Sequence, residues 1–68
     1  MKNREIIEKM MTGLDSTKLG FIINYLLYIQ HDDNGDPQLA KFHREFVNRY
    51  GKHINLQIND AGEFEVLE

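Results

Sequence analysis

Apolar residues recur at helical spacing through the first fifty positions of the chain. Near the start of the chain, one face of a helix is indicated by apolar residues at the spacing i, i+3, i+4, i+7, namely Ile7, Met10, Met11 and Leu14. The pattern predicts a short helix over residues 3–12. Gly13 is the expected end of this helix, because glycine readily takes the left-handed conformation that closes a helix.

The second predicted helix has Asp15 as its N-cap, with Ser16 as an alternative, and runs to about Gln30. It is apolar around most of its circumference. One stripe is predicted as core: Leu19, Ile22, Ile23, Leu26 and Ile29. An aromatic stripe, Phe21, Tyr25 and Tyr28, is predicted as either core or a protein interface, since tyrosine combines apolar area with a polar tip. An apolar arc of this width is normally covered by several neighbouring elements. We therefore expect this helix to be central to the fold or part of an oligomer interface.

A polar loop over residues 31–36 separates the second helix from a third. Asp36 is the predicted N-cap of the third helix, and Pro37 takes the first helical position, where no backbone N–H is needed. This helix is predicted over residues 37–50, with Gly51 closing it. Its predicted core face consists of Leu39, Phe42, Phe46, Val47 and Tyr50.

From His53 onward the apolar period changes from that of a helix to two. The alternating apolar positions are Ile54, Leu56 and Ile58, then Phe64 and Val66 after a short loop that ends in glycine. This pattern predicts a β-hairpin that covers the helices. The predicted fold is therefore α+β: three helices packed around a central apolar helix, followed by a C-terminal antiparallel β-hairpin.

The composition is that of one small globular domain, predicted over residues 1–66. The chain has 68 residues, of which 41% are hydrophobic and 28% charged, and a chain of this length buries only a small core. Leu67 and Glu68 resemble vector-derived residues and are given no structural role. Neither a secretory signal nor an apolar run long enough for a bilayer is evident, so we expect a cytoplasmic protein without membrane contact.

The residues that carry enzymatic or metal chemistry are sparse, and we expect a non-enzymatic protein without cofactor or metal. Cysteine is absent, Ser16 is the only serine and lies beside a predicted helix cap, and no glycine-rich phosphate loop occurs. The acidic loop before Pro37 does not fit a calcium loop, since placing Gly35 sixth puts Lys41 at the twelfth, acidic position. No small-molecule substrate is indicated.

A basic segment over residues 41–53 lies between two acidic ones, in a chain whose net charge is −3. Its side chains suited to nucleic acid are Lys41, Arg44, Asn48, Arg49 and Lys52, four of which share one helix face. Three helices followed by a hairpin resemble a winged helix, which implies DNA binding through the third helix. Against this, the N-terminal end of that helix, which would meet the bases, is acidic.

Two functions therefore follow from the sequence. The preferred one is a small non-enzymatic binding protein that acts through protein–protein contact with another protein or a second copy of itself. Its interface candidates are Phe21, Tyr25 and Tyr28, with the charged face of the third helix as a further surface. The alternative is a nucleic-acid-binding regulator with a winged-helix-like arrangement that uses the basic face of the third helix.

Overall fold

The computed structural model describes residues 2–67 and confirms the predicted order of elements. Three helices are followed by a two-stranded antiparallel sheet, so the protein is α+β. The elements are α1 (Lys2–Met11), α2 (Ser16–Asp33), α3 (Pro37–Gly51), one 3₁₀ turn (Lys52–Ile54), β1 (Leu56–Ile58) and β2 (Phe64–Val66).

The predicted N-caps of α2 and α3 are both confirmed. Asp15 Oδ1 accepts a hydrogen bond from the Lys18 backbone N–H at 2.9 Å, and Asp36 Oδ1 accepts one from Leu39 N–H at 3.3 Å. Each bond satisfies a backbone donor that has no partner within its helix. Pro37 occupies the first turn of α3, as its missing N–H predicts.

The second helix is longer than the sequence pattern predicts. It continues through the acidic residues after Gln30 and ends at Asp33, so the connection to α3 contains only residues 34–36. Gly35, with φ of 74°, takes the left-handed conformation that reverses the chain, and Asp36 N–H bonds to His31 O at 2.9 Å. The polar composition of residues 31–33 therefore belongs to an exposed helix end and not to a loop.

Two glycines are needed where backbones approach closely. A Cβ atom on Gly20 would lie 2.5 Å from the Tyr50 ring, so this glycine lets α2 and α3 pack tightly. A Cβ atom on Gly51 would collide with the backbone carbonyl of Leu56. Gly51 is helical, with φ of −60°, and the left-handed residue that turns the chain into β1 is Asn55.

The hydrophobic core lies on one side of the α2–α3 pair, where α1 and the hairpin cover it. Its buried members are Met10, Phe21, Ala40, Val47, Leu56, Ile58 and Phe64. The rings of Phe21 and Phe64 meet edge to face with centroids 5.1 Å apart, which joins α2 to β2. The hairpin covers the helices as predicted, with Ile58 paired to Phe64.

The predicted packing of helices around α2 is not confirmed. Three residues predicted as core, Leu19, Ile23 and Leu26, are 45%, 46% and 56% exposed. Ile22 and Ile29 are half-buried. The aromatic stripe of α2 faces the core instead, because the neighbouring elements cover only that side of the helix.

The predicted core face of α3 is also only partly correct. Val47 is fully buried, and Phe46 and Tyr50 are half-buried. Leu39 and Phe42 are 44% and 51% exposed. Ala40, which the sequence pattern did not single out, is buried because its small side chain lies on the side of α3 that faces the core.

Leu67, predicted to be vector-derived and without a structural role, takes part in the fold. Its backbone N–H donates to Asn55 O at 2.8 Å and its side chain is half-buried. Glu68, also predicted to be vector-derived, lies outside the described residues. Within residues 2–67, no helix combines the length and the apolar character needed to cross a membrane.

Candidate protein-binding surface

The helices α2 and α3 form an antiparallel pair whose seam contains polar side chains. Asn24 Nδ2 donates to Gly20 O at 2.8 Å, which leaves its Oδ1 to accept from His43 Nδ1 at 3.1 Å. The His43 ring also stacks on His31, with centroids 5.2 Å apart. These contacts fix how the two helices are rotated against each other, and so fix which side chains point away from the core.

The side of the pair opposite the core carries exposed apolar side chains from both helices. Successive residues of a helix are rotated by about 100°, so Ile23 points away from the side on which Phe21 is buried. Phe42 likewise follows buried Ala40 by two residues, so it also points away from the core. We call this surface the outer face and define it by Leu19, Ile23 and Leu26 of α2 and Leu39 and Phe42 of α3, which are 44–56% exposed.

Aromatic contacts stabilise the α3 part of the outer face. The Phe42 ring meets the rings of Phe46 and His43 edge to face, with centroids 5.0 Å and 5.3 Å apart. The guanidinium of Arg49 lies 5.2 Å from the centre of the Phe46 ring, within the range of a cation–π contact. Phe42 is thus an exposed ring held in place by its neighbours.

The two ends of the outer face carry opposite charges. Asp33 follows Leu26 by seven residues and Arg49 follows Phe42 by seven, so each continues the stripe of its own helix. Because the helices are antiparallel, Asp33 lies at one end of the face and Arg49 at the other. Exposed Lys52 adds to the basic end.

An open cavity of about 310 Å³ lies at the basic end of the outer face. Its walls combine two aromatic rings with hydrogen-bond donors: Thr17, Phe46, Arg49, Tyr50 and His53. A guanidinium and a hydroxyl beside apolar rings suit the carboxylate of an acidic side chain.

The interface candidates drawn from the aromatic stripe lie elsewhere. Phe21 is fully buried, so the interpretation of this ring as an interface residue is corrected to core. Tyr25 is half-buried, packs on Phe64 with ring centroids 4.6 Å apart, and accepts a hydrogen bond from Asn3 at 3.0 Å. Its ring and its hydroxyl are therefore both used within the fold.

Tyr28 is half-buried beside a second cavity of about 190 Å³, between α2, α3 and the hairpin turn. Burial raises the pKa of the Tyr28 hydroxyl above 10.0, and the nearby charge of Asp32 raises it further. The mixed charges of this cavity come from Asp32, Lys41, Arg44 and Asp60.

The five nucleic-acid candidates are divided between different tasks. Arg44 pairs with Asp60 at 3.0 Å, and Asn48 Oδ1 accepts from the Ile58 backbone N–H at 2.8 Å, so both attach α3 to the hairpin. Arg49 contacts Phe46 at the outer face. Lys41 and Lys52 are exposed. Two of the five side chains, those of Arg44 and Asn48, therefore form contacts that stabilise the fold.

Among residues 2–67, no group of three or more histidine, cysteine, aspartate or glutamate side chains is arranged to hold an ion.

Comparisons of the chain with protein-family models, with curated proteins and with solved structures found no match.

The outer face is the surface that sequence reasoning missed. Its α2 residues were recognised as an apolar stripe but assigned to the core. The signal that could have identified it is the continuation of each stripe into a charged residue, Asp33 on α2 and Arg49 on α3, because a charged end is typical of a stripe that reaches solvent.

Proposed function

We propose that this chain is a non-enzymatic binding protein that acts through protein–protein contact and forms a homodimer through its outer face. The observation that carries the proposal is the group of five large apolar side chains, each 44–56% exposed, on one side of the α2–α3 pair. Single exposed apolar residues are ordinary, whereas a contiguous apolar patch of a few hundred Å² is often a functional surface.

The area of the outer face suits a dimer of small subunits. With about half of roughly 200 Å² exposed on each side chain, the five contribute on the order of 500 Å² of apolar surface. A standard interface buries about 800 Å² per partner, of which about 65% is apolar in homodimers, or roughly 500 Å². The outer face and its polar rim therefore supply what one half of a homodimer interface needs.

The distribution of charge favours a second copy as the occupant. Residues 19–30 contain no charged side chain, so the middle of α2 presents only apolar and uncharged groups to a partner. On α3 the exposed Glu45 lies between Phe42 and Arg49, while Asp33 lies at one end of the face and Arg49 at the other. A surface of this kind is complementary to itself, which is the requirement for the isologous interface of a two-fold dimer.

Sedimentation velocity over a range of concentrations tests the proposal. We expect the wild-type chain to approach twice its 8.0 kDa mass as concentration rises. The double variant Leu26→Glu with Phe42→Glu should remain monomeric with unchanged helical circular dichroism, because it places two unpaired charges in the apolar centre while leaving the core untouched.

Val66→Glu is the matched control. Val66 is 63% exposed on β2, away from the outer face, so the same kind of substitution there should leave the dimer intact. A wild-type chain that stays at 8.0 kDa up to millimolar concentration would overturn the proposal. Equal weakening by Val66→Glu would show that the dimer uses another surface.

A further inference from the structure

We infer that the two copies pack antiparallel across the outer face, so that Asp33 on α2 of each copy pairs diagonally with Arg49 on α3 of the other. This inference rests on the proposed homodimer and specifies its arrangement. It also assigns a ligand class to the cavity at the basic end of the outer face, namely the carboxylate of an acidic side chain.

Asp33 is an acidic side chain in an unfavourable local position. It is the last residue of α2, where the helix dipole presents its negative end, and a carboxylate there is destabilising within the monomer. It is exposed, and no ion pair joins it to another described residue. A cation supplied by another chain would offset this unfavourable interaction.

Arg49 is the cation best placed to meet such a carboxylate. Its guanidinium rests on the Phe46 ring and forms part of the cavity wall, and it has no carboxylate partner among residues 2–67. The planar guanidinium can hold a carboxylate through two parallel hydrogen bonds. Stacking on the ring also limits its motion, which lowers the entropy lost when the pair forms.

A two-fold axis in the plane of the interface can run along the helices or across them, and the charges favour one of these two arrangements. When the two-fold axis runs along the helices, the copies are parallel, so the two acidic ends lie together at one end of the dimer and the two basic ends at the other. When the axis crosses the helices within the interface, the acidic end of each copy lies over the basic end of the other. Only the second arrangement pairs opposite charges, and it does so twice in each dimer.

Charge reversal tests the inference, with dimer dissociation constants measured by sedimentation at low salt. Asp33→Lys alone and Arg49→Asp alone should each weaken the homodimer about tenfold or more, since each turns two attractive pairs into repulsive ones. An equimolar mixture of the two variants should recover near wild-type affinity. In the mixed dimer, the lysine introduced at position 33 faces the aspartate introduced at position 49, and the other pair is native.

Glu63→Lys is the matched control, because Glu63 is an exposed acid in the hairpin turn and lies away from the outer face. This variant should dimerise like the wild type. A mixture that fails to recover affinity, or single variants that dimerise normally, would overturn the antiparallel pairing while the homodimer itself stands. A monomeric wild type would overturn both proposals.

Cysteine cross-linking provides a second measurement, which is clean because the chain contains no cysteine of its own. A mixture of Asp33→Cys and Arg49→Cys chains, oxidised at a concentration that populates the dimer, should form mainly the mixed disulfide. Predominant disulfides between identical chains would indicate the parallel arrangement and contradict the inference.

Discussion

Phe21 and Ile23 are two residues apart on α2 and have opposite environments. The Phe21 side chain is fully buried against Phe64, whereas Ile23 is 46% exposed on the outer face. Both are large apolar residues, so residue type does not separate them. Their difference arises from the rotation of α2 about its axis, because about 200° of rotation separates two positions that are two residues apart.

Truncation of Phe21 should therefore be among the most damaging single changes in this chain. Phe21→Ala removes a fully buried ring and is expected to cost about 3–5 kcal/mol of unfolding free energy, because a cavity remains in the core. A domain of this size has little stability beyond that. Urea unfolding followed by circular dichroism measures the loss.

Leu19→Ala provides the comparison, since Leu19 is also a large apolar residue of α2 but is 45% exposed. Measured at a concentration where the chain is monomeric, it should cost far less than Phe21→Ala. Equal losses from the two variants would show that the assignment of the two stripes of α2 is wrong.

At the scale of elements, asparagine side chains attach the hairpin to the helices. Asn3 of α1 donates to Gly62 O and accepts from Phe64 N–H, both at 2.8 Å. Asn48 of α3 accepts from Ile58 N–H at 2.8 Å. A two-stranded hairpin is barely stable alone, so these bonds act together with the buried side chains of the strands to hold it in place.

Removal of the Asn3 side chain should loosen the hairpin from α1. Asn3→Ala leaves the Phe64 N–H without its partner in a half-buried position and should cost about 1–3 kcal/mol. Asn3→Asp keeps the acceptor but loses the donor to Gly62 O and to Tyr25, so an intermediate loss is expected. Hydrogen exchange should show faster exchange of the Phe64 amide in Asn3→Ala.

Gln38→Ala is the control for the two Asn3 variants. Gln38 is exposed on α3, and no hydrogen bond among the described residues joins its side chain to the hairpin. It should leave both stability and Phe64 exchange unchanged. An Asn3→Ala variant with wild-type exchange at Phe64 would contradict the role of Asn3 as a link between α1 and β2.

At the scale of the whole molecule, the fold has a core on only one side of its main helix pair. The hairpin and α1 cover that side, and nothing within residues 2–67 covers the outer face. A chain of 68 residues buries a modest share of its surface, so burying an additional apolar face in a dimer would raise its stability substantially. Folding and self-association are then expected to be linked.

This linkage predicts a melting temperature that depends on protein concentration. Because dimerisation stabilises the folded chain by mass action, a hundredfold rise in concentration through the dimer transition should raise Tm by on the order of 5 °C. Scanning calorimetry or circular dichroism measures the shift. The variant carrying Leu26→Glu and Phe42→Glu should have the same Tm at every protein concentration. A wild-type Tm that does not change with concentration would contradict the linkage.

The sequence by itself determined the elements of this protein and several of their ends. Local chemistry suffices for these features: Asp15 and Asp36 satisfy backbone donors, Pro37 fits a first helical turn, and the alternation of apolar residues predicts the strand from Leu56 onward. Ile54, which the same alternation assigned to the strand, lies in the 3₁₀ turn instead. The sequence also showed that α2 carries two apolar stripes, which together are wider than the surface that one neighbouring element can cover.

Only the tertiary structure decided which stripe of α2 is buried and where the charges of the outer face lie. Periodicity fixes the angles between residues on one helix, but the rotation of that helix toward the core depends on its neighbours. In this chain the close approach of Gly20 to Tyr50 and the contact of Asn24 with His43 determine that rotation. They turn Phe21 inward and Leu19, Ile23 and Leu26 outward, because only one rotation satisfies the seam and the core together.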